Sequence, residues 1–122
     1  MKLAKTFAML LILTMVPALM EAQQQRPPWM QPDVVRAAVD IGMTEEQLAH
    51  FRSHVAEFMD GRMKAFNNLM RRNNVTNMDR KMKSRTNKLK RRMDEQMSEL
   101  LTEEQYPKYE VYRDLLMSKF RI

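Results

Sequence analysis

The tetrapeptide Thr-Glu-Glu-Gln occurs twice, at residues 44–47 and 102–105, and both copies are written as the first turn of a helix. In each, the threonine hydroxyl can accept the amide three residues on, while the glutamine there reaches back to the threonine amide: a capping box. The two glutamates put negative charge in the first turn, where the helix dipole favours it. Met43 with Leu48, and Leu101 with Tyr106, stand at the two positions of a hydrophobic staple. Each copy therefore commits the chain to a helix with a defined start. Pro107 disturbs the second, because it lacks an amide donor and biases Tyr106 away from helical angles, so the last helix should begin irregularly.

After the first box, apolar residues recur at Leu48, Phe51, Val55, Phe58, Met59, Met63, Phe66, Leu69 and Met70. Steps of three and four define one long amphipathic helix ending near Arg72. Residues 73–77 read as a turn. A second long helix carries Met78, Met82, Leu89, Met93, Met97 and Leu100 on one stripe, and a final one runs through Tyr109, Tyr112, Leu116 and Phe120. Upstream, a short helix from Asp33 to about Ile41 offers Val34, Val35, Ala38 and Ile41 to one face and stops at Gly42. Nothing alternates as a strand does. The expected fold is all-α, with four helices, two of them long. The first long helix, about 29 residues, reaches about 43 Å; two such rods in a hairpin cannot cover their apolar stripes alone, so a partner is expected.

Lys2 and Lys5 precede an apolar run from Phe7 to Val16, then Pro17 and small residues at Ala18 and Ala22. That order is the pattern of a cleaved secretory signal peptide, so residues 1–22 are read as signal and 23–32 as a flexible, proline-rich leader. Residues 33–122 are read as the helical domain. The chain carries +6 at pH 7, and removing residues 1–22 leaves +5. A basic, exported protein favours acidic or amphipathic partners over nucleic acid. There is no cysteine, which excludes disulfides, thiolate chemistry and thiolate metal sites. No nucleophile–base constellation or phosphate loop is present, and a non-enzyme with no resident cofactor is expected.

Met43-Thr44-x-x-Gln47 and Leu101-Thr102-x-x-Gln105, flanking two long helices behind a signal-like segment, resemble the paired LTxxQ motifs of the Spy/CpxP family. Met43 departs from the family's leucine, and Pro107 from its second motif. The resemblance implies a periplasmic protein with an elongated, curved helical hairpin that forms an antiparallel homodimer. It further implies an ATP-independent chaperone of unfolded or misfolded envelope proteins. The alternative it carries is an envelope-stress or metal-responsive signalling accessory that touches a membrane sensor kinase.

Thr44, Gln47, Thr102 and Gln105 are expected to cap helices rather than touch a ligand. Arg80, Lys81, Lys83, Arg85, Lys88, Lys90, Arg91 and Arg92 form a run with no acid between Asp79 and Asp94. The residues expected to contact clients are Lys83, Arg85, Lys88 and Arg92, with Met82 and Met93 of the adjoining stripe. Arg62 joins them, because it falls within the apolar face of its helix and should face a cavity, an interface or a groove. His50 and His54 are spaced i,i+4, which can begin a metal site, with Glu57 the nearest third ligand. The i,i+4 methionine pairs Met59/Met63, Met78/Met82 and Met93/Met97 are soft enough for Cu(I), or simply fill a core.

Overall fold

The computed structural model describes residues 26–72 and 76–120. The signal-like segment, the leader up to residue 25 and residues 73–75 of the turn lie outside them. A 3₁₀ turn (Pro28–Met30) leads into four helices: α1 (Pro32–Asp40), α2 (Glu45–Arg71), α3 (Met78–Leu100) and α4 (Tyr106–Ser118). No strand occurs among the described residues. α2 packs along α3, α1 packs along α4, and the 3₁₀ turn lies against α1.

Pro32 does not break α1 but opens it. A proline at the first helical position loses nothing, since that amide has no acceptor within the helix. α1 ends at Gly42, whose φ of +72° is the left-handed geometry that favours glycine after a helix. α1 buries Val34 and Ala37, and Ile41 is buried just after it; Val35, expected inside, is exposed. α4 begins at Tyr106 rather than directly after Thr102. Without an amide on Pro107 the Glu103 carbonyl has no i+4 donor, and residues 103–105 form a turn closed by Gln105 N–H donating to the Thr102 carbonyl at 3.1 Å. The irregular start is therefore real.

The interior has two parts. The larger contains Val34 of α1 and Ile41 just after it, Phe51, Val55 and Phe58 of α2, Met93 and Met97 of α3, and Tyr109, Tyr112 and Leu116 of α4. The smaller contains Ala65, Leu69 and Met82, with Met78 against it. Between them, Arg62 of α2 donates through Nε to the Thr86 hydroxyl of α3 at 3.0 Å. Gly61 lies in the same stretch. A Cβ there would stand 2.7 Å from Leu89 Cδ2, so its absence lets Leu89 lie against the α2 backbone.

The long apolar series on α2 does not form a single buried face. Phe51, Val55, Phe58 and Leu69 are buried, whereas Met63 is 65% exposed and Phe66 and Met70 are each 46% exposed. At 100° per residue, Met59, Met63, Phe66 and Met70 centre about 90° away from the buried row. They form a second stripe.

Tyr109 is wholly buried and donates its hydroxyl proton to Asp94 Oδ1 at 2.7 Å, tying α4 to α3. Arg113 Nη1 reaches the other oxygen of Asp94 at 3.3 Å. Burial, and then Asp94, push the Tyr109 phenol far up, and burial pushes Tyr112 up to about 12. Tyr106 is also raised, by burial first and then by Asp94. The unfolded chain ionises tyrosine near 10.0, so this stability is complete below pH 10 and declines as pH rises above it. In an alkaline titration, the phenolate absorbance of the two buried tyrosines, Tyr109 and Tyr112, should appear together with loss of helical circular dichroism. Phenolate formed by more than one of the three tyrosines near pH 10 with the helices intact would contradict this packing.

Candidate functional site

Both capping boxes close. Thr44 Oγ1 accepts from Gln47 N–H at 3.1 Å, and Gln47 Oε1 accepts from Thr44 N–H at 3.0 Å. Thr102 Oγ1 accepts from Gln105 N–H at 3.2 Å, and Gln105 Oε1 accepts from Thr102 N–H at 3.0 Å. Local spacing accounts for all four bonds.

The two glutamines also bind each other. Gln47 Nε2 donates to Gln105 Oε1 at 2.9 Å, and Gln105 Nε2 donates to Gln47 Oε1 at 3.2 Å. The second proton of each amide goes to the chain ahead of the other box: Gln47 Nε2 to the Leu100 carbonyl at 3.2 Å, and Gln105 Nε2 to the Gly42 carbonyl at 3.0 Å. Leu100 precedes Gln105, and Gly42 precedes Gln47, by the same five residues, so the pattern has pseudo-twofold symmetry. Each primary amide has two donors and two lone pairs, and all are used. Reversing either amide would set NH₂ against a threonine N–H and oxygen against a carbonyl, so the network fixes both orientations. The symmetry continues into the core: Phe51 and Tyr109 stand four residues after their glutamines, Phe58 and Leu116 eleven after, and all four are buried.

The residues expected to meet a client divide. Met82 and Met93 are buried, 8% and 1% exposed, and belong to the interior between α2 and α3. As contact residues they are corrected: the stripe that stays outside is on α2, not α3. Arg92 is on the surface but engaged, since it pairs with Glu57 at 3.1 Å, and Gln96 donates to the same carboxylate at 3.1 Å. Both charged side chains are largely solvated, so this pair contributes under about 1 kcal/mol. Lys83, Arg85 and Lys88 are exposed and make no ion pair among the described residues. They do not share a face. Helical angles put Lys83 with Lys90 on the Asp94 flank of α3, and Arg85 with Arg92 on the Gln96 flank.

Arg62 is the residue the structure singles out. Its guanidinium carbon lies 3.8 Å from the centre of the Phe120 ring, a stacked cation–π contact, while Nε is held by Thr86, itself 3% exposed. No carboxylate pairs with Arg62 among the described residues, and burial lowers its pKa below the ordinary arginine value. Thr86 and Phe120 carry no sequence signal for this role: one is a lone threonine in a polar helix, the other the last apolar residue of α4's stripe.

His50 is exposed and His54 half-buried. Glu57, the third ligand considered with them, is occupied by Arg92 and Gln96, and no group of three or more metal-ligating side chains occurs among the described residues. No described helix is long and apolar enough to cross a membrane. Comparison of the chain with known protein families, with characterised proteins and with solved structures gives no match in any of the three.

Replacing Gln47 by alanine removes four hydrogen bonds and should cost about 2–3 kcal/mol in unfolding free energy. Gln105→Ala should cost a similar amount, and the double variant less than the sum by about 1 kcal/mol, because either change already breaks the reciprocal pair. Strict additivity in denaturant titrations would contradict the pairing.

Proposed function

We propose that the protein is an exported, ATP-independent holdase of the Spy/CpxP kind, which acts in the periplasm as a homodimer with an elongated, curved hairpin protomer. It holds unfolded envelope proteins against an apolar and basic surface. The observation that carries this reading is the stripe of Met63, Phe66 and Met70, left exposed on α2 by the way that helix packs. Flexible thioethers and an aromatic ring suit a surface that must adapt to many partners. Contiguous exposed apolar surface on so small a domain marks an interaction site. Lys83 and the half-buried Lys90 flank the α2–α3 seam with no acidic partner among the described residues, so acidic client segments are drawn to it. The homodimer rests on the family resemblance and on the small size of a domain without cross-links.

Purified protein, added stoichiometrically and without nucleotide, should slow the aggregation of several unrelated, chemically unfolded enzymes as followed by light scattering. Its solution mass should be about twice that of one chain. Met63→Ser combined with Phe66→Ser should weaken suppression several-fold while helical circular dichroism is preserved. Undiminished aggregation with wild-type protein removes the holdase reading; full activity in the double variant removes the stripe as its site.

A further inference from the structure

Arg62 combines features that a purely structural cation does not need. It is half-buried at the seam of α2 and α3, and burial disfavours its charge, yet no acid offsets it among the described residues. Its partners are a hydroxyl, which takes Nε, and a phenyl ring, which takes one face of the guanidinium. Neither neutralises a charge, and both fix orientation. The two terminal nitrogens make no hydrogen bond among the described residues, and they are the half of the fork that grips a carboxylate. Phe66, one turn further along α2, and Met63, three residues before it, place exposed apolar surface beside the fork. Lys83 and Lys90, one turn either side of Thr86 on α3, keep the neighbourhood positive without acidic partners of their own.

We infer that Arg62, oriented by Thr86 and the Phe120 ring, is a receptor for a carboxylate side chain of a bound polypeptide, with Phe66 and Met63 taking the apolar residues next to that carboxylate. This deepens the holdase reading and rests on it. The recognised unit is a glutamate or aspartate set beside large apolar residues in an otherwise extended or helical segment. Such a segment is buried in folded proteins and exposed in unfolded ones, because its apolar neighbours belong to a core. The stacked arginine supplies selectivity for the acid, and the stripe supplies tolerance of the sequence around it.

The test uses two fluorescein-labelled twelve-residue peptides, identical in their Leu and Phe content, one with a central glutamate and one with glutamine there. Binding to the full chain is read by anisotropy. Wild-type protein should bind the glutamate peptide on the order of ten-fold more tightly than its glutamine counterpart. Arg62→Met should abolish that preference while leaving residual apolar binding. Arg62→Lys keeps the charge but loses the fork and the stacking, and should retain only a small part of it. Phe120→Leu should fall between. Circular dichroism confirms folding for each variant, and Arg62→Lys serves as the test if Arg62→Met does not fold. Equal binding of the two peptides by wild type, no binding of either, or an undiminished preference in the Arg62 variants each overturns the inference. Suppressed aggregation without glutamate preference sinks the carboxylate receptor and leaves the holdase. Glutamate preference without suppression does the reverse.

Discussion

The reciprocal amide pair of Gln47 and Gln105 is the joint on which the rest of the structure turns. Gln47 closes the first turn of α2 and Gln105 the turn that leads into α4; each ties its turn to the other and holds the carbonyl of the chain entering it. Four chain directions thus meet through two side chains. Without the pair, each box would still start a helix, but nothing at this end would set the angle between the two starts. With it, α1 and α4 are brought together at the point where α2 and α3 are, and the two pairings become two expressions of one pseudo-symmetric joint. The stabilisation is of the order of a few neutral hydrogen bonds. Its importance lies in direction, since every donor and acceptor of the two amides is committed and turning either amide over breaks the set.

Away from the joint the interior thins. Beside the joint, α1 and α4 help α2 and α3 to bury a continuous core; past the level of the Phe120 ring, among the described residues, the two long helices enclose just the small cluster of Ala65, Leu69 and Met82. Arg62 and Thr86 separate the two regions. A half-buried cation there costs desolvation that Thr86 and Phe120 offset only in part, which a chain selected for stability alone would avoid by placing an aliphatic residue at the position. The same thinning leaves Met63, Phe66 and Met70 outside. The polar layer and the exposed stripe follow from one fact: α4 is too short to cover the whole of α2.

The sequence is most legible where the interactions are local. The capping boxes, the glycine stop after α1, the helix count and the disturbed start of α4 all depend on residues within four positions of each other. The pairing of the two glutamines does not, because nothing in either box says where the outward protons of its amide go. The reading of α2 fails for a different reason. Apolar residues come there as adjacent doublets, Phe58-Met59 and Leu69-Met70: Phe58 and Leu69 are buried, Met59 is half-buried against the core, and Met70 is exposed. Spacing of three and four admits both rows, and the choice is made by α3 and α4. Met82 and Met93 go inside because α3 packs its apolar row against α2, closely enough at Gly61 for Leu89 to lie on the α2 backbone, whereas a run of cations around them suggests a surface. Arg62 stands out in the sequence as a charge on an apolar face, but Thr86 and Phe120, which give the charge its orientation, become visible only once three helices are assembled.

Hydrogen exchange at two backbone amides tests the joint most directly. The Thr44 and Thr102 N–H groups belong to exposed residues, and among the described residues each has a glutamine oxygen as its sole acceptor. Coupling through the amide pair predicts that both are protected to a similar free energy in the wild-type protein. It further predicts that Gln47→Ala, which removes the acceptor of Thr44 alone, also weakens the protection of Thr102. Protection of Thr102 that is unchanged in Gln47→Ala would mean the boxes act independently, and the account of a single joint would be wrong.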